Sequence, residues 1–92
     1  MAKVVVTLKI MPENPEVNLV ELESTVKKII SEFAGEGETK TEKEPVAFGL
    51  TNLKIIFVME ESLGSPDPVE EKISALENVA SVETTDVRRA IG

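Results

Sequence analysis

From Lys3 to Met11 apolar and polar positions alternate, with Val4, Val6, Leu8 and Ile10 on one face and Lys3, Val5, Thr7 and Lys9 on the other. A period of two is that of a strand with one buried face, and the even positions are predicted to point inward. Pro12 and Pro15 then bracket Glu13 and Asn14. Proline lacks a backbone donor and fixes φ, so a loop is expected there. Beyond it the period lengthens: Leu19, Leu22, Val26, Ile29, Ile30 and Phe33 recur at helical spacing up to Gly35, and Asn18 with Glu21 three residues later forms a capping box. Glu21, Glu23, Lys27, Lys28 and Glu32 fall between the apolar positions, as the solvent side of a helix lying on a sheet requires.

The stretch from Gly35 to Glu44 is almost wholly polar and predicts a loop merging into an edge strand. Glu44 to Leu50 brings Pro45, Val46, Ala47, Phe48 and Gly49; Leu53 to Met59 follows, with Ile55, Ile56, Phe57 and Val58 in a run expected of a central strand. Gly49, Thr51 and Asn52 suit a turn or bulge that would make these strands an antiparallel pair. Asp67-Pro68-Val69-Glu70 reads as a helix start with Asp67 as cap, Pro68 at the first helical position and Glu70 at the third. Val69, Ile73 and Leu76 give the second helix its buried stripe and Asn78 its stop; Val79 to Val87 is the last strand, before a short tail from Arg88 to Gly92. The order β-α-β-β-α-β predicts an α+β, ferredoxin-like split sandwich. Its four-stranded antiparallel sheet carries both helices on one face and leaves the other face open. With no repeat at a fixed period and no linker-like segment, residues 1–92 are read as one domain.

Composition narrows the function more than the fold. A length of 92 residues supports one hydrophobic core. No apolar run approaches the ~20 residues a bilayer-spanning helix needs, and MAKVVVTLKI lacks the apolar stretch and cleavage site of a signal peptide, so a cytoplasmic location without membrane contact is expected. Without cysteine or histidine the chain has no thiolate nucleophile, no sulfur or imidazole metal ligand and no imidazole base, and no cofactor is expected. A net charge of −7 disfavours direct contact with a nucleic-acid backbone, and with it a ribosomal structural role.

Candidate chemistry is correspondingly sparse. An acylphosphatase-like enzyme would need donors and a guanidinium in the loop after the first strand, where this chain has two prolines and an acid. An RNA-recognition module would display aromatics on its central strands, and Phe57 alone stands there. Glu60, Glu61, Asp67, Glu70 and Glu71 gather near the second helix without the spacing of a calcium loop, so metal binding is the weaker reading. Two features stand out. Phe48, between Ala47 and Gly49, either closes one end of the core or is displayed outward by a turn. Arg88 and Arg89, the only arginines in an acidic chain, are either an ordinary surface pair or a directed cation.

Glu44-Pro45-Val46-Ala47-Phe48-Gly49-Leu50, Leu53 through Glu61, and the ending Val79 through Arg89 resemble the guanine-nucleotide exchange domain family of elongation factor 1-beta. The short chain is similar to the archaeal form. The resemblance covers essentially the whole chain and implies a ferredoxin-like fold, exchange of GDP for GTP on the elongation factor 1-alpha GTPase, and no bond chemistry. It also implies contact residues: Phe48 with Gly49 as an apolar anchor on the nucleotide domain, and Asp86, Arg88 and Arg89 at the end that reaches the magnesium and phosphates, Arg89 foremost. Eukaryotic members of the family carry a lysine where Arg89 stands, and here Ala90-Ile91-Gly92 follow it. A monomer is expected in the free state, because the polar second strand discourages edge pairing. From a different class, a ferredoxin-like regulatory domain binding a small ligand between subunits remains the alternative.

Overall fold

Alternation in the first segment and the long β-branched run in the third produce the two inner strands of the sheet. The computed structural model describes residues 2–35, 37–46 and 49–89. Its elements are β1 (Lys3–Pro12), α1 (Leu19–Ala34), β2 (Thr39–Pro45), β3 (Thr51–Glu60), a 3-10 turn (Glu61–Leu63), α2 (Asp67–Ser74) and β4 (Val79–Arg89). The strands lie in the order β2-β3-β1-β4, all antiparallel. This is the ferredoxin-like α+β arrangement that the element order predicts.

One sheet face carries the core. Val6, Leu8 and Ile10 of β1 and Leu53, Ile55, Phe57 and Met59 of β3 are buried against Leu22, Val26 and Ile30 of α1 and Val69 and Ile73 of α2. The buried positions on α1 are spaced by four, which keeps them on one side of the helix. Asn18 caps α1 as expected: its Oδ1 accepts from the N–H groups of Val20 and Glu21 at 3.0 and 3.2 Å. Gly35 ends the helix at φ 82°, where a side chain would be strained.

The boundaries depart from the sequence reading at four places. β1 continues to Pro12, which pairs with Val79 across a register shift. Proline ends a strand readily, because only its own missing donor is lost. The edge strand expected in the polar stretch is Thr39–Pro45, but it ends at Pro45 instead of continuing into the segment before Leu53; its register comes from β3, with Thr41 opposite Ile55 and Lys43 opposite Leu53. At α2, Asp67 is inside the helix and not its cap: Pro66 holds that place, Ser65 Oγ accepts from the Asp67 N–H at 3.3 Å, and Ser74 is the last residue, four before Asn78. Glu70 turns instead to β4, accepting a 2.6 Å hydrogen bond from the Thr84 hydroxyl. Finally, Arg88 and Arg89 belong to β4 and not to a tail, since β1 supplies Val5 and Val4 as their partners.

β4 carries the irregularity that matters most. Thr7 pairs with Asp86 and Leu8 with Thr84, which leaves Thr85 as the extra residue of a bulge. Residues opposite one another share a face. Thr84 therefore joins Leu8 on the helix side, while Asp86 and Arg88 join Thr7 and Val5 on the open side and Arg89 returns to the helix side with Val4.

Candidate functional site

Gly49 and the group Asp86, Arg88 and Arg89, all singled out by sequence, fall at two ends of the sheet. Pro45 and Thr51 form the last β2-β3 pair, and the Val46 N–H donates to the Leu50 carbonyl at 2.8 Å, closing the hairpin loop. Gly49, in that loop, is exposed and has φ 76°, a left-handed conformation that disfavours any residue with a Cβ. Phe48 and Ala47 lie outside the described residues, as do Ala90, Ile91 and Gly92.

The arginine end lies at the other limit of β3. Lys3 pairs with Glu60, and Val4 with Arg89, so the end of β4 meets the exit of β3 at the start of β1. The 10 residues of β3 span about 30 Å at a strand's rise. The structure thus brings Asp86, Arg88 and Arg89 together and sets Gly49 far from them.

The two arginines are held differently. Arg88 faces the open side, 79% exposed, and its Nε lies 2.8 Å from the Asp86 carboxylate two residues back on the same strand. Asp86 thus tethers Arg88. Arg89 is fixed by a residue from a different element: its Nε and Nη2 donate to Oε2 and Oε1 of Glu61 at 3.1 and 2.6 Å, a bidentate pair. The hydrogen bonds from Arg89 hold the Glu61 carboxyl below its ordinary value of 4.5, with the guanidinium charge adding to them and desolvation opposing. The same bonds raise the Arg89 guanidinium.

Glu61 is the site residue that sequence reasoning missed as a partner of Arg89. In sequence it stands among nearby acids that make a weak metal candidate, and at 28 positions from Arg89 no local pattern joins the two. Glu61 and Glu70 are each committed to a hydrogen bond, with Arg89 and Thr84, and among the described residues no cluster of three metal-binding side chains occurs. Ala2, Glu60, Glu61, Ser62 and Arg89 line an open depression of about 450 Å³.

Comparison with known proteins places these features in a family context. The EF-1 guanine nucleotide exchange domain family matches residues 5–90. A protein named Elongation factor 1-beta from Methanobrevibacter smithii is 46% identical over 90 residues, covering 97% of this chain and 98% of its own. Another of that name from Pyrococcus abyssi is 45% identical over 87 residues, with 94% and 93% covered. Among solved structures, the de novo designed protein Foldit4 superposes with a TM-score of 0.64 at 17% identity, over 98% of each chain. A putative antibiotic biosynthesis monooxygenase from Bacillus cereus gives 0.56 at 16%, over 100% of this chain and 96% of its own. At such identities the structures share the fold alone, and function follows from the site.

Proposed function

The chain belongs to the EF-1 guanine nucleotide exchange domain family, and from that membership we propose that it promotes exchange of GDP for GTP on the elongation factor 1-alpha GTPase by binding it, without making or breaking a covalent bond. The match along residues 5–90 carries this reading. The geometry supports it in a second way. The candidate contacts stand about 30 Å apart along β3, roughly the diameter of a small domain. Residues spaced in that way suit a macromolecule rather than a metabolite.

Exchange of this kind is a coupling free energy. A factor that binds the nucleotide-free GTPase more tightly than the GDP-bound form weakens GDP binding by the same ratio. In the proposed arrangement Phe48 and Gly49 form the apolar anchor at the hairpin loop, while Arg88 and Arg89, with Asp86 orienting Arg88, set positive charge beside the GTPase's phosphates. A cation there competes with the contacts that retain GDP. The proposed contacts act by apolar packing, position and charge, so the domain has no need of a general base or a nucleophile.

Release of fluorescent GDP from the purified GTPase, with catalytic amounts of this protein, tests the proposal. Turnover-dependent acceleration is expected, with Phe48→Ala raising the concentration needed for half-maximal rate and Arg89→Ala lowering the maximal rate. If both variants exchange like the wild type, the site assignment is wrong; if the wild type does not accelerate release, the function is.

A further inference from the structure

The two-point contact between Glu61 and Arg89 asks what the pair is for. An exposed ion pair adds little to stability, and the 3-10 turn does not depend on this one: the Glu61 N–H is already fixed by a 3.0 Å bond to the Ala2 carbonyl. The end of β4 is likewise fixed by the Val4–Arg89 rung. Both backbones have their own hydrogen-bonded partners apart from the side-chain pair. What the pair determines is the direction of the guanidinium.

A guanidinium is a planar fork of five N–H donors with more than one edge able to engage an oxyanion at two points. Glu61 occupies the side-on edge made by Nε and Nη2. Three N–H groups remain, two on Nη1 and one on Nη2, and one from each nitrogen forms the end-on edge. Arg89 can therefore hold Glu61 and bind a second oxyanion at the same time. A lysine ammonium has no second edge to offer in this way. The Thr85 bulge is the device that brings Arg89 to the side of the sheet where Glu61 lies, because it reverses the facing of every β4 residue after it.

We propose that Glu61 is a positioning residue for Arg89, holding its side-on edge so that the end-on edge is presented, already oriented, to the anionic nucleotide site of the GTPase. This rests on the exchange reading above. Pre-orientation removes part of the entropy that a free arginine would lose on engagement. Acting through the guanidinium, Glu61 has an effect only while Arg89 is present.

The test is stopped-flow release of fluorescent GDP from the GTPase at saturating concentrations of wild type, Glu61→Ala, Glu61→Gln, Arg89→Ala, Arg89→Lys and the double variant Glu61→Ala/Arg89→Ala. The melting temperature of each is measured alongside. Glu61→Ala is expected to lower the maximal rate about 2- to 12-fold, the range for immobilising one flexible side chain, with half-saturation and melting temperature unchanged. Glu61→Gln is expected to fall between it and wild type. Arg89→Lys should exchange no faster than Glu61→Ala, and the double variant no more slowly than Arg89→Ala alone. Glu61→Ala matching or exceeding wild type would show that Glu61 silences Arg89 or is idle. An equal loss from Glu61→Ala in the Arg89→Ala background would show that Glu61 acts by itself. Either result overturns the proposal while leaving exchange activity standing, whereas an inactive wild type overturns both.

Discussion

Replacing Gly49 by alanine isolates the backbone requirement of the hairpin loop from any change in packing. Its φ of 76° lies in the left-handed region, and a Cβ built there meets nothing within 4 Å. The whole cost is therefore conformational. For a residue with a Cβ that cost is about 1–2 kcal/mol, and in a chain of 92 residues each kcal/mol lowers the melting temperature by about 4–8 °C. Gly37 is the internal control: a Cβ there also meets nothing within 4 Å, and its φ lies outside the strained range. Gly37→Ala should be neutral or stabilise by about 0.4–1 kcal/mol, because it restricts only the unfolded chain. The pair is measured by urea and thermal unfolding, where the slope with denaturant should stay constant while the midpoint falls for Gly49→Ala and holds or rises for Gly37→Ala. Gly49→Asn should recover part of the loss, since asparagine tolerates this region best after glycine. Equal effects at Gly37 and Gly49, or no loss at Gly49, would refute the argument from φ. Because Phe48 is its neighbour in sequence, Gly49→Ala is also expected to weaken half-saturation in the exchange assay.

Other predictions follow from the same geometry. Asn18→Ala leaves the Val20 and Glu21 N–H groups without their acceptor; the expected loss is about 1 kcal/mol, with faster amide exchange at those two residues. Phe57→Ala empties a fully buried site between the sheet and the helices and should cost about 3–5 kcal/mol by denaturant titration. Glu61 should titrate below 4.5 by carbon-detected NMR and move back up in Arg89→Ala. The sign follows from linkage: a lowered native pKa means that the pair's contribution is present above 4.5 and fades as pH falls through the native value.

The parts of the fold that were legible in sequence are those whose burial repeats along the chain. β1 and α1 announce themselves because their inward residues recur at two and at three or four, and Asn18 marks its helix locally. β2 is nearly silent, since a polar edge strand takes its register from β3 rather than from its own residues. The start of α2 was misplaced by one residue because Ser65, Pro66 and Asp67 are all compatible with a helix entry, and the Glu70 carboxylate was claimed by Thr84. The extension of β4 through Arg89 depends on partners more than 80 positions away in β1. Pairing of Arg89 with Glu61, and the bulge at Thr85 that allows it, are likewise consequences of topology that no short window of sequence contains. Phe48 was singled out from sequence and lies outside the described residues, so its role rests on the exchange assay.

In the proposed exchange, binding of this domain and binding of GDP oppose one another on the same GTPase. The most direct test is the affinity of the wild-type chain for elongation factor 1-alpha, measured by titration calorimetry with the GTPase nucleotide-free and again with it saturated by GDP. Tighter binding to the empty form is expected, by the same factor with which the chain weakens GDP binding. Equal affinity for the two forms would contradict it, because a ligand without preference between two states shifts neither.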